Sequence, residues 1–215
     1  MDGTLIDSEP YWIAAEQELA AEHGMEWTHA DGLTLVGNPL DVSAQVFIDR
    51  GVDLPADQII DRWLNQVASH VAAHVPWQND ARELLDEVHA AGIPCALVTM
   101  SYGAMTQAFL DAAPGIFDVV VTGDEVTHGK PDPESYLLAA ERLGVDVTRC
   151  VAIEDSPAGT RAAFSSGAAT ISVRRIAPIP PMPGLTRVKS LAGIGVEGLT
   201  AVLAGQFYDE LGDVH

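Results

Sequence analysis

Cys150-Val151-Ala152-Ile153-Glu154-Asp155-Ser156-Pro157 runs from an apolar stretch through two adjacent acids into the start of a helix. Successive apolar residues with no alternation describe a strand buried on both faces, and Ser156-Pro157 supplies an N-cap followed by the proline favoured in a first turn. Glu154 and Asp155 therefore stand at the carboxyl end of a strand, where open α/β sheets bind ligands.

The same alternation extends in both directions. Asn79 is expected to cap a helix whose Ala81, Leu84, Leu85, Val88 and Ala91 follow the 3.6-residue period, with Gly92 ending it. Residues 93–99 and 119–122 read as buried strands. Asp132-Pro133-Glu134 reads as N-cap, first-position proline and first-turn acid of a helix that turns Tyr136, Leu137, Ala140 and Leu143 inward and stops at Gly144. Residues 170–173 form a fourth strand. Repeated βα units of this kind predict an α/β fold: a Rossmann-like parallel sheet with helices on both faces.

Residues 11–75 differ. Their helical periods (Trp12, Ala15, Leu19; then Ile59, Ile60, Trp63, Leu64, Val67, Val71) are broken by Gly24, Gly37-Asn38-Pro39 and Gly51 and contain no convincing strand. The expected division is a core of residues 1–10 and 76–215 and a helical insertion of residues 11–75. Residues 177–183, with four prolines, are expected to run as a polyproline-like surface loop.

Composition narrows the function. The 215 residues are 47% hydrophobic and carry 31 acids against 11 Lys and Arg, a net charge of −20. So apolar a chain builds a core, and its acidity is that of a folded surface that repels nucleic acid and anionic membranes. Cys95 and Cys150 lie in apolar runs, as buried small hydrophobes do in a reducing compartment. No apolar stretch is long enough for a membrane span, and Met1-Asp2-Gly3 lacks a basic-then-apolar leader, so a cytoplasmic protein, a monomer or weak dimer, is expected.

Four segments place polar groups at predicted strand ends: Asp2-Gly3-Thr4, Thr99-Met100-Ser101, Gly129-Lys130-Pro131-Asp132 and Glu154-Asp155-Ser156. Adjacent acids in one crevice repel, a cost that a divalent cation removes, and hard oxygen donors favour Mg2+. A lysine and a hydroxyl near helix N-termini form an anion site, and metal plus anion site point to phosphoryl transfer.

In order, these segments resemble the four motifs of the haloacid dehalogenase-like hydrolase superfamily. The chain is most similar to the branch with a helical cap inserted after the first motif, that of beta-phosphoglucomutase and small sugar-phosphate phosphatases. The likeness runs over essentially the whole chain. Its specific parts are Asp2 to Pro10, Gly129-Lys130-Pro131-Asp132-Pro133 and the stretch from Val151 to Gly159. The resemblance implies that Asp2 is the general acid and base, and that its backbone carbonyl helps to ligate Mg2+. Thr99, with the amides of Met100 and Ser101, would hold the phosphoryl group. Lys130 would neutralise its charge, and Glu154 with Asp155 would hold the metal. An aspartate at position 2 also argues against the dehalogenase members, which have no leaving alkoxide to protonate.

In the family pattern the nucleophilic aspartate lies two positions before the general acid, at the end of a first strand. That position falls one residue before Met1. The expectation is therefore that the natural polypeptide extends about ten residues upstream, enough for an apolar strand and that aspartate. An intact mass of 22.8 kDa for the natural protein would contradict it. Without that central strand, its two neighbours keep unpaired backbone groups.

The cap loop around Gly37 and Asn38, with Glu9 and Trp12, is expected to contact the leaving group; for Trp12 simple helix packing is the competing reading. His70 and His74 are spaced to share a zinc but lack a third ligand, which favours a solvated helix face. Arg174-Arg175 reads either as a surface pair or as a phosphate-steering pair, and His128 as a loop residue. The leading expectation is a Mg2+-dependent phosphatase of small phosphorylated metabolites working through an aspartyl-phosphate. Its rivals are a phosphosugar mutase and a non-catalytic binding protein.

Overall fold

The structure, a computed structural model, describes residues 1–36, 38–101 and 103–212. Helices come first: α1 (Glu9–Glu22), α2 (His29–Leu33), α3 (Leu40–Asp49) and α4 (Ala56–Ala73). Then follow α5 (Asn79–Ala90), β1 (Ala96–Val98), α6 (Gly103–Ala112), β2 (Val119–Val121), α7 (Glu134–Leu143), β3 (Val151–Glu154), α8 (Pro157–Ser165), β4 (Ala169–Val173), β5 (Thr186–Val188) and α9 (Gly195–Leu203). The chain divides into two compact units. One comprises Met1–Ile6, Trp77–Tyr102 and Ala113–His215; the other comprises Asp7–Pro76 and Gly103–Ala112.

The helical unit is held by an aromatic centre. α4 buries Ile59, Trp63, Val67, Ala68 and Val71 on one stripe, as the 3.6 period requires. Trp63 meets Phe47 edge-on at 4.8 Å, and Phe47 meets Trp27 at 4.4 Å. Trp27 Nε1 donates to the buried Glu16 at 3.0 Å. Tyr11 stacks on His70 with ring centroids 5.1 Å apart and donates its hydroxyl to the His74 carbonyl at 3.0 Å. Both histidine side chains are exposed, as a solvated helix face requires, with His70 lying against the Tyr11 ring.

Burial pushes the Glu16 carboxyl up to about 7 against the Trp27 hydrogen bond. A raised pKa means that stability present below the ordinary carboxylate range is lost as pH rises toward 7. Glu16→Gln is accordingly expected to raise the melting temperature at about pH 8 and to leave it little changed near pH 4. Thermal melts at the two pH values check this.

In the α/β unit successive residues of β3 serve opposite faces. Val151 and Ile153 pack with Ala81, Leu84 and Val88 of α5 and Val202 of α9, whereas Ala152 packs with Ala163 of α8 and Tyr136 of α7. Helices thus cover both faces, as expected. The sheet itself is in two pieces: β1 pairs parallel with β2, and β3, β4 and β5 pair parallel in that order. Between the pieces lies an apolar cavity of 550 Å³ lined by Ala96–Val98 on one side and Val151–Ile153 on the other. Among the described residues no strand bridges β1 and β3.

Several local expectations are corrected. β1 is shorter than residues 93–99, because Pro94 has no N–H for a ladder and the Cys95 N–H goes to the Asp118 carboxylate at 2.9 Å. Asn79 is the first residue of α5 and Gln78 its cap; Pro133 is the cap of α7, and Leu137 faces outward at 44% exposed. The proline-rich loop is anchored: Ile179 is buried, and its carbonyl accepts from Arg187 Nη1 at 2.6 Å. Ser156 caps α8 as read, its Oγ accepting from the Gly159 N–H at 3.0 Å with Pro157 following.

Candidate active site

Each functional side chain in the α/β unit is delivered by a strand end or by the loop after it. Thr99 follows β1; its N–H donates to the Val121 carbonyl at 3.0 Å, which continues the ladder by one bond and fixes the loop. Thr99 Oγ1 accepts from the Ser101 N–H at 3.1 Å, and Ser101 Oγ donates to Asp2 Oδ2 at 2.7 Å. The second motif thereby holds the first. Met100 Sδ accepts from the Lys130 N–H at 3.4 Å.

The Lys130 ammonium donates to the Val98 carbonyl at 3.1 Å and to Glu154 Oε1 at 2.5 Å. Tyr136 donates its hydroxyl to the same Glu154 oxygen at 2.5 Å. Burial pushes the Glu154 carboxyl up, but the Lys130 charge and both hydrogen bonds outweigh it and hold the group below its ordinary value. Burial and the Glu154 charge push the Tyr136 hydroxyl well above its ordinary value, so it stays a donor.

Asp155 is placed differently. Thr4 Oγ1 donates to its Oδ1 at 2.6 Å, and burial, reinforced by the Glu154 charge, pushes its carboxyl up to about 6. Two close approaches demand glycine here. Gly3 has φ +70°, and a Cβ on it would overlap the Asp155 carboxylate; a Cβ on Gly159 would overlap that of Glu154.

The turn carrying Asp2 is pinned from outside. Arg175 forms a forked pair with Asp80 at 2.7 and 3.0 Å, and its Nε donates to the Gly3 carbonyl at 3.3 Å. Asp80 also accepts from Ser190 Oγ and the Leu191 N–H. Arg175 therefore holds the loop, neither lying loose on the surface nor steering an anion. His128 is a loop residue whose N–H is held by Glu134 at 2.8 Å.

Asp2, Thr99, Met100, Ser101, Lys130, Glu154 and Asp155 are thus joined by one network at the carboxyl ends of β1 and β3. Asn38 belongs to the helical unit, where it is exposed, and its N–H donates to the Leu35 carbonyl at 2.9 Å. Gly37 lies outside the described residues. Sequence reasoning missed the hydroxyl of Tyr136, whose helical period fits core packing equally well. It gave Thr4 no role of its own and read Arg175 as a surface or phosphate-steering residue, because the partners of both are distant in the chain.

The network bears on a divalent cation. Among the described residues, no group of three or more His, Cys, Asp or Glu side chains is gathered as a metal site. Glu154 is engaged by Lys130 and Tyr136, which makes it the lysine's counter-charge. Asp155 is a buried carboxylate whose hydrogen bond comes from a neutral hydroxyl, and its raised pKa marks a charge that a cation would relieve. The hard oxygen donors of the Asp155 carboxylate fit Mg2+.

Parallel strands that bring a lysine and a buried carboxylate to their carboxyl ends, with helices on both faces, define the Rossmann-like α/β class of enzyme. Residues 1–173 match the haloacid dehalogenase-like hydrolases, and the chain belongs to that family. It is 33% identical to the fructose-1-phosphate phosphatase YqaB of Escherichia coli, over 81% of this chain and 93% of that protein. It is 31% identical to a phosphorylated carbohydrates phosphatase of Thermotoga maritima, over 78% and 79%. Among solved structures, CbbY from Rhodobacter sphaeroides in complex with phosphate superposes with a TM-score of 0.79 at 28% identity, covering 93% of this chain and 96% of that one. Among the described residues no helix is long and apolar enough to cross a membrane.

Proposed function

We propose that the protein is a Mg2+-dependent phosphatase of phosphorylated carbohydrates, with the helical unit as its cap and substrate choice in the loop bearing Gly37 and Asn38. The observation that carries the reading is the Lys130 ammonium, held by the Val98 carbonyl and Glu154 beside Thr99 and Ser101. Anchored this way, it retains a donor for a phosphoryl oxygen. The carbohydrate class rests on the relatives named for fructose 1-phosphate and phosphorylated carbohydrates.

In this reading Thr99 and the amides of Met100 and Ser101 bind the phosphoryl oxygens. Lys130 offsets their charge as the bond to the leaving oxygen breaks. Asp2, its carboxyl oriented by Ser101, protonates that oxygen as the phosphoryl group passes to the family's nucleophilic aspartate, and then takes a proton from the water that hydrolyses the resulting acyl phosphate. Asp155 and the Asp2 carbonyl hold Mg2+, which when bound polarises the phosphoryl group and offsets its charge.

Asp2→Asn keeps the oxygen that accepts from Ser101 and removes the transferable proton. It is expected to lower kcat by about 10² to 10⁴ with KM little changed, measured by steady-state phosphate release. Incubation of the natural protein with a hexose 1-phosphate, following free phosphate and hexose 6-phosphate together, tests the reaction type. Phosphate release is expected. Hexose 6-phosphate appearing without phosphate would make the protein a mutase, and neither product from any sugar phosphate would make it a binding protein.

A further inference from the structure

Tyr136 touches both members of the buried ion pair. Its hydroxyl donates to Glu154 Oε1 at 2.5 Å, and its ring centroid lies 5.0 Å from the Lys130 ammonium. The oxygen it engages is the one that accepts from Lys130 at 2.5 Å. A tyrosine serving only as core filler would have no need of a hydroxyl aimed at that atom. We propose that Tyr136 is a positioning residue for anion binding: by sharing the Glu154 charge and lying against the ammonium, it keeps Lys130 directed at the phosphoryl group.

The physical reason is competition for one carboxylate oxygen. Lys130 has three N–H donors; one goes to Val98 and one to Glu154, which leaves one for a ligand. With two donors on Oε1, part of the carboxylate charge is spent on a neutral hydroxyl. With the hydroxyl gone, the lysine alone faces that oxygen in a medium of low dielectric. The pair then draws closer, and less of the ammonium field reaches an incoming anion. The aromatic face adds an attraction that holds the ammonium laterally. Tyr136 thus acts through Glu154 and Lys130, and its effect on anion binding depends on the Glu154 charge.

This inference rests on the phosphatase reading, and its test separates the two. Orthophosphate binding in the presence of Mg2+ is measured by calorimetry for the wild type, Tyr136→Phe, Glu154→Gln and the double variant. Tyr136→Phe is expected to weaken phosphate binding about fivefold to tenfold, the scale of a typical net intramolecular hydrogen bond. In the Glu154→Gln background the same change is expected to have no further effect, because the charge through which it acts is gone. A merely structural tyrosine would lower stability without that coupling. Unchanged phosphate affinity in Tyr136→Phe, or the same loss in both backgrounds, overturns the inference and leaves the phosphatase reading standing. A wild type that binds no phosphate overturns both.

Discussion

Lys130→Ala is expected to cost about 3 to 5 kcal/mol of stability and to abolish phosphate binding. The pair it breaks is enclosed, with the Lys130 and Glu154 side chains 10% and 6% exposed, so the variant leaves a carboxylate buried without its cation. For a chain of this size the loss corresponds to a melting temperature lower by roughly 10 °C. Adding Glu154→Gln removes the stranded charge and is expected to restore most of the stability, while phosphate binding stays lost. The two effects thereby come apart: melts report the ion pair, and calorimetry with orthophosphate reports the anion site. A Lys130→Ala variant that melts with the wild type would falsify the buried pair.

Asp155→Asn is expected to change stability in opposite directions with and without metal. Burial pushes the Asp155 carboxyl up to about 6 from an ordinary 3.8. Stability contributed by the protonated form is full below the ordinary value and is lost as pH rises through about 6. In chelator at about pH 8 the wild type therefore carries the cost of a buried charge, and the variant, which keeps an oxygen to accept from Thr4, melts higher; near pH 4 the two converge. With Mg2+ at a thousand times its Kd the wild type gains about 4.1 kcal/mol, more than the buried charge costs it, and the variant gains little, which reverses the order. Melts across pH with and without Mg2+ check this. A variant that responds to Mg2+ like the wild type would show that Asp155 holds no metal.

The sequence carried much of this. β3 with the Ser156-Pro157 start of α8 is legible because a run of apolar residues, a capping hydroxyl and a proline agree at adjacent positions. The site motifs are legible because each follows a strand, and the parallel topology brings strand ends together. Other features were hidden for physical reasons. β5, at Thr186–Val188, is three residues long and has the fully buried Arg187 at its centre, where its charge is met by Asp209 and by the Ile179 and Gly212 carbonyls. Neither alternation nor composition marks such a strand. The grouping of α6 with the helical unit follows from its packing along α4, a contact between segments distant in the chain. Glu154 reads in sequence as a metal ligand because it neighbours Asp155; only the positions of Lys130 and Tyr136 show its carboxylate to be engaged.

The most direct test of the central claim is phosphate release from fructose 1-phosphate by the natural protein, with Mg2+ and with chelator, beside Lys130→Ala/Glu154→Gln. Release that requires Mg2+ and is lost in the refolded-charge double variant, despite its recovered stability, is the expected result. Release that persists in chelator, or that survives in the double variant, would contradict a Mg2+-dependent phosphatase working through Lys130.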